Sequence, residues 1–362
     1  MRKEYLNMYT NTIITMYPIY LKKQLLKKLV EEQLIINNKK KINQLVFNFT
    51  RSIDVTEIES IDDKLCMAME DERVLASIEE NEYKKQYRHF VYFECKNIEV
   101  GCIETLVSNG QINVWKKDNE PVDEFDKPTI YIEDNIVYLK VVHKLTNDVG
   151  NEIVYPILAI LDKELGVVEI RLDRVGIAYK NTYFFYKDKI DEMKKYLVDK
   201  LGLVLNDIDF KSVVDYIKSE KEDVSIYAQK MSRQGSTAYL EAYEEGDGVM
   251  PIIGELNAFI ESNENIFSID EHTQDIKIKL QKFIQEIEVK SDLPIVKVKM
   301  DAEDIKFGIT HNYKEADYSF FMLYGDLVGD KELMGNVRKY LIECRNELRA
   351  SITDVGVPTK EM

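Results

Sequence analysis

Two residues apart, in a run where apolar side chains alternate with polar ones, stand a carboxylate and an ammonium, Glu94 and Lys96. The run from Tyr87 to Ile98 reads as a β-strand, and its two-residue period puts Glu94 and Lys96 on one face with Arg88, Phe90 and Tyr92 alongside. A carboxylate so placed could hold a divalent cation while the lysine orients water or steadies a phosphate. That chemistry needs a further acid upstream, for which Asp71 and Glu72 are the candidates. Both fall in a segment whose spacing predicts a helix, not the turn or strand expected of such a ligand. The bland alternative is a solvated Glu–Lys pair on an exposed strand.

An acidic-x-lysine pair on a strand resembles the arrangement in metal-dependent nucleases, which makes a nuclease the alternative reading of function. The leading reading comes from a second pattern, cations interleaved with rings. Tyr83 to Phe90 contains Lys84, Lys85 and Arg88, and Tyr179 to Lys187 contains Lys180, Tyr183 and Lys187. Single-stranded nucleic acid is held by that mixture, cations on phosphate and rings on bases. The same stretches also suit a hairpin that buries Tyr183 and Phe185 and leaves its lysines in water. A third pattern lies at 230–237, where Ser232, Arg233, Gly235 and Ser236 form either a phosphate cradle or a hairpin turn. The acidic run 244–248 lacks the alternating oxygen ligands of a calcium loop.

Other chemistries lose ground. There is no GxxxxGK[ST], GxGxxG, HExxH or GxSxG motif. His89, His143, His272 and His311 lie far apart, with no second histidine or cysteine close by to complete a zinc site. No metal and no cofactor is expected. Cys66, Cys95, Cys102 and Cys344 form no framework, which fits reduced thiols and a cytoplasmic location. No segment reaches the ~18 uninterrupted apolar residues of a membrane span.

Charge is distributed unevenly. The 362 residues carry a net −16, yet the first 51 hold ten basic and three acidic side chains, a net +7, leaving −23 in the other 311. Lys22, Lys23, Lys27 and Lys28 sit on a helix expected over Tyr20–Ile36, its apolar stripe made by Leu21, Leu25, Leu26 and Leu29. A basic arm on an acidic body calls for an anionic or acidic partner, or else docks on its own body.

The elements that must position these residues form an α+β chain: an antiparallel β-meander with an N-terminal helical arm, followed by a mixed α/β C-terminal part. Residues 1–50 are expected as the arm, 51–190 as the meander domain and 191–362 as the C-terminal domain. A strand is expected over Gln44–Phe49 and one helix over Asp62–Glu82. Strands follow at Ile112–Lys116, Thr129–Ile132, Ile136–Leu145, Ile153–Leu161 and Val167–Arg174, joined by turn residues. Beyond them come helices at Asp188–Leu201, Asp209–Ser219, Val249–Ser262, Gln274–Val289 and Lys331–Ala350, with five short strands among them. The combined expectation is a non-enzymatic cytoplasmic binding or regulatory protein, engaging nucleic acid or a protein partner through the basic arm. Self-association and a place in host (antiviral) defence or a mobile-element system go with it.

Overall fold

A computed structural model of the chain describes residues 2–37, 52–98, 101–116, 124–233, 236–241, 251–290, 292–300, 305–324 and 333–354. It is an α+β structure whose chain divides into two compact units. The first unit is Met1–Ile208 with Asp326–Ile342, and the second is Asp209–Gly325 with Glu343–Met362.

The first unit opens with α1 (Arg2–Met16) and α2 (Ile19–Glu31), which turn at Pro18. Short paired strands β1 (Ile35–Ile36) and β2 (Ile53–Asp54) follow. Then come α3 (Ile61–Ala68), α4 (Glu72–Lys84), β3 (His89–Cys95), α5 (Gly101–Ser108) and β4 (Asn113–Val114). The meander is β5 (Thr129–Glu133), β6 (Ile136–Thr146), β7 (Glu152–Asp162) and β8 (Val167–Leu172), each pairing antiparallel with the next. Helix α6 (Phe185–Leu201) ends at Gly202, whose φ of 65° is the left-handed cap a glycine takes without strain. Strand β9 (Leu205–Asp207) then pairs with the end of β3.

Several expectations need correcting. The helix expected over Asp62–Glu82 is two helices, broken at Met69–Asp71, because Asp71 leaves helical geometry to cap α4 with its side chain. The strand expected at Ile112–Lys116 shrinks to two residues, and a helix precedes it. The N-terminal helices pack on the body of the first unit, the second of the two arrangements expected for the basic arm. Tyr5, Met8, Tyr9 and Ile13 of α1 and Leu21, Leu25 and Leu29 of α2 are buried in one core with α3, α4, Val142 and Val154. The strand expected at Gln44–Phe49 lies outside the described residues.

Helix α1 docks where the sheet leaves off. Strand β7 pairs with β6 along its length, but with β8 only from Ile157 onward. Pro156 therefore falls outside the β8 ladder, where its missing N–H breaks no bond to that strand. One residue pair earlier, Val154 N–H donates to Thr12 Oγ1 at 2.8 Å, and the same hydroxyl donates to Met8 O at 2.8 Å. Asn11 Nδ2 donates to Glu152 O at 2.8 Å. Side chains of a helix thus replace the neighbouring strand that β7 lacks there.

The second unit continues with α7 (Phe210–Glu220), capped by Asp209, then β10 (Val224–Arg233) and β11 (Ser236–Glu241). Helices α8 (Pro251–Ser262), α9 (Glu264–Phe267) and α10 (Glu271–Lys290) follow. Strands β12 (Asp292–Met300), β13 (Ile305–Thr310) and β14 (Phe320–Tyr324) complete a sheet of order β11-β10-β12-β13-β14, antiparallel throughout. Phe210 of α7 packs edge-on against Phe321 of β14 at 4.9 Å. The apolar residues of α10 are only partly used: Ile284 is buried, whereas Ile276 and Phe283 are each 55% exposed. Helix α11 (Leu333–Asp354) closes the described chain, and its residues through Ile342 belong to the first unit.

Replacing Thr12 by valine keeps the shape and leaves Val154 N–H buried without an acceptor. Thr12→Val is expected to lower stability by about 1–3 kcal/mol, read from the urea midpoint. Thr15→Val, which removes an exposed hydroxyl bonded only to Asn11 O within the same helix, is expected to stay within about 0.5 kcal/mol.

Candidate nucleic-acid interface

Lys85, just past the end of α4, is buried to about 1% side-chain exposure. Its ammonium sits 2.6 Å from Glu82 and 2.5 Å from Asp173, which follows β8. Tyr17, at the α1–α2 corner, donates its hydroxyl to Glu82 and receives a hydrogen bond from Lys85 Nζ at 3.2 Å. The Tyr17 and Tyr87 rings flank the ammonium at 4.7 and 4.8 Å. Burial alone would push Lys85 down, but Asp173 and Glu82 outweigh it and raise its pKa. Glu82 is held below its ordinary value against its own burial by Lys85 and Tyr17. Burial leaves Asp173 raised, although Lys85 and the Arg88 backbone N–H pull it back.

This knot forms one wall of a cavity of about 360 Å³ between the α1–α2 corner and the chain around Ile153–Pro156 and Asp173–Gly176. Arg88, half-buried, and Arg174, exposed, also line it. They come together because His89 pairs with Leu172 in the β3–β8 ladder, which sets the preceding residue of one strand beside the residues following the other. Lys180 lies on the same side of the unit: its Nζ sits 4.5 Å over the Tyr186 ring, and Tyr186 packs 4.6 Å from His89. His89 reports the field of this cluster. Burial, and then Arg88, Lys180 and Arg174, bring its pKa down to about 3. Just ahead of Tyr186 in the chain, Tyr183 and Phe184 are 78% and 44% exposed, their rings 5.2 Å apart and nearly perpendicular.

What sets Arg174 apart is the company it lacks. Among the described residues no carboxylate lies within ion-pair distance of it, whereas most of the expected cationic site residues are already neutralised. Lys22 is buried, donates to Ile14 O and pairs with Asp62 at 2.7 Å. Lys28 donates to Ser77 O and pairs with Glu80 at 3.0 Å. Lys27 lies 3.6 Å from Glu31, Lys84 3.7 Å from Glu80, and Lys187 2.6 Å from Asp191. Lys23 is exposed on α2.

The remaining candidates do not converge. Strand β3 ends at Cys95, so Glu94 is buried in the strand while Lys96 lies beyond it, exposed. Glu94 faces Val167 and Asn206 across its two neighbours in the ladders. Asp71 is spent on capping α4 and on the Arg73 guanidinium, which holds its carboxyl below the usual range. Glu72 is exposed in the first turn of α4. Among the described residues no group of three or more His, Cys, Asp or Glu side chains is placed to hold a metal ion. Nor is any helix among them long and apolar enough to cross a membrane. Ser232 pairs with Thr237 and Arg233 with Ser236 in the β10–β11 hairpin. Gly235 lies outside the described residues, as does the acidic run 244–248.

No family model matches the chain, and no curated protein matches its sequence. The site is therefore read from its geometry.

Two outcomes follow. Lys85→Met strands two buried carboxylates and is expected to cost about 3–5 kcal/mol in urea unfolding. Neutralising the partners as well, with Glu82→Gln and Asp173→Asn, should make the loss smaller. The second outcome concerns pH. His89 stays neutral in the fold and is protonated in the unfolded chain below its ordinary 6.5, so stability is complete above pH 6.5 and falls as pH drops toward 3. His143, also lowered by burial, acts in the same direction. Between pH 6.5 and 5, His89→Gln should flatten the decline in stability read from urea unfolding, which His89 steepens by up to about 1.4 kcal/mol per pH unit.

Proposed function

We propose that this is a non-enzymatic protein that binds single-stranded nucleic acid on its first unit. Arg88, Arg174 and Lys180 would face phosphates, and the Tyr183 and Phe184 rings would receive bases. One observation carries this reading: an exposed guanidinium without a carboxylate partner among the described residues, Arg174, lining a cavity in a chain of net charge −16. In such a chain an unneutralised cation beside two others and two exposed rings is the surface that favours an anionic, ring-bearing polymer. The contact surface moves from the N-terminal helices, whose Lys22 and Lys28 serve the core, to the exits of β3 and β8. A cytoplasmic setting in host defence or in a mobile-element system accompanies the proposal.

The test is retention of a labelled single-stranded oligonucleotide, DNA and RNA in parallel, across a salt series. Three cation–phosphate contacts on a single strand give a log–log salt slope of about −2. Arg174→Glu should weaken binding by about tenfold or more, and Tyr183→Ala by the ~1–3 kcal/mol of one base stack. Lys27→Glu, on the far surface of α2, should change nothing. Equal losses for Lys27→Glu and Arg174→Glu would sink the assignment, and Mg²⁺-dependent shortening of the oligonucleotide would restore the nuclease reading through Glu94 and Lys96.

A further inference from the structure

A second cavity in the first unit, of about 630 Å³, lies between the end of α4, the β5–β6 and β7–β8 turns and the start of α11. That volume falls within the ~300–1,000 Å³ of small-molecule sites. Its inner wall carries a buried charge network whose carboxylates are fully engaged. Glu169, 0% exposed, receives Arg171 Nε at 2.7 Å, Arg171 Nη2 at 2.9 Å and Arg338 Nη1 at 2.8 Å. Asp162 pairs with Arg338 Nη2 at 3.1 Å through one oxygen, and its other oxygen accepts the Glu164 and Leu165 N–H groups.

Two donors are left over. Among the described residues Arg338 Nε and the Tyr83 hydroxyl are buried with no hydrogen-bond partner, and both residues line the cavity. Burial, with Glu79 nearby, keeps the Tyr83 hydroxyl protonated far into alkaline pH, so it remains able to donate. Leaving a buried donor unmet costs about 1–3 kcal/mol, and here two such donors belong to residues that line one cavity. A ligand that met both would recover that cost.

The surroundings narrow the ligand's chemistry. The lining charges balance: Lys84, Arg171, Arg338 and Lys339 face Glu133, Asp134, Asp162 and Glu164. A balanced lining offers no net field to draw in a phosphate. Two rings line the cavity, Tyr83 and Tyr138, 6.4 Å apart and edge to face, and Tyr131, outside the lining, stacks on Tyr138. Two donors beside such a wall suit a flat ring that carries acceptor oxygens.

We propose that this cavity binds an uncharged planar heterocycle with ring carbonyl oxygens, a nucleobase or nucleoside, its carbonyl accepting from Arg338 Nε and Tyr83 Oη. The site is separate from the Arg88–Arg174 surface and does not depend on the polymer binding proposed there.

The experiment titrates the full-length protein with uridine, guanosine, adenosine and uridine 5′-monophosphate by calorimetry. Uridine and guanosine, which carry ring carbonyls, are expected to bind saturably. Adenosine, which has none, should be weaker by about tenfold, the equivalent of one hydrogen bond to a charged donor. The monophosphate should bind no more tightly than uridine. Tyr83→Phe retains the ring and removes only the hydroxyl. It is expected to weaken uridine about fivefold or more, with a melting temperature of the free protein that does not fall and unchanged oligonucleotide retention. Absence of saturable nucleoside binding at millimolar concentration, a strong preference for the monophosphate, or indifference to Tyr83→Phe would each overturn the proposal. A loss of oligonucleotide binding in Arg174→Glu alone would leave it standing.

Discussion

A single buried ammonium holds the first unit's working end together. Lys85 connects the end of α4 through Glu82, the exit of β8 through Asp173 and the α1–α2 corner through Tyr17. These elements are far apart in sequence and share no ladder of backbone hydrogen bonds at this point. Their relative placement therefore depends on one cation finding two carboxylates at contact distance. A buried ion is tolerable only when its partners are complete, so the arrangement is close to all-or-none. Arg88 and Arg174 lie three and one residues from members of this knot, and the spacing of the two guanidiniums is inherited from it.

The protein's charge is less a uniform acidity than a set of local settlements. Lysines of α2 and α4 meet acids of α3 and α4, and Arg338 and Arg171 meet Asp162 and Glu169 inside the unit. Among the N-terminal cations, Lys22, Lys27 and Lys28 are absorbed in this way. Arg174, just past the end of β8, has no carboxylate within ion-pair distance among the described residues. That is why the surface of interest sits at strand exits and not on the helix with the most lysines.

Much of the meander was legible because nothing interferes with its period. Thr129, Ile136, Val167, Gly202 and Asp209 fall at or within a residue of element ends expected from alternation and cap residues alone. Helix α1 was not legible: Thr10, Thr12 and Thr15 are poor helix formers, and their hydroxyls bond back to Leu6, Met8 and Asn11 in a way composition does not foretell. The break before α4 was hidden because Asp71 reads equally well as an acidic first-turn residue. At the site, Arg88, Lys180 and Tyr183 were visible as local interleavings of charge and ring. Arg174 was not, since no ring or second cation adjoins it in the chain and its importance arises only when β3 pairs with β8. Glu82 and Asp173 stayed unseen for the same reason, being partners of Lys85 only across the fold.

The hydroxyl that joins α1 to β7 also divides the unit's motions into two classes. Most amides of β6, β7 and β8 are closed by neighbouring strands, and they exchange with solvent only when the sheet itself opens. The Val154 amide is closed by Thr12, a side chain on a helix that meets the sheet by packing. Its exchange rate therefore measures detachment of α1, an opening that leaves the ladders intact. Because α1 carries Met16 and leads into Tyr17 on the cavity's wall, that slow local breathing is also the motion that changes the cavity's mouth.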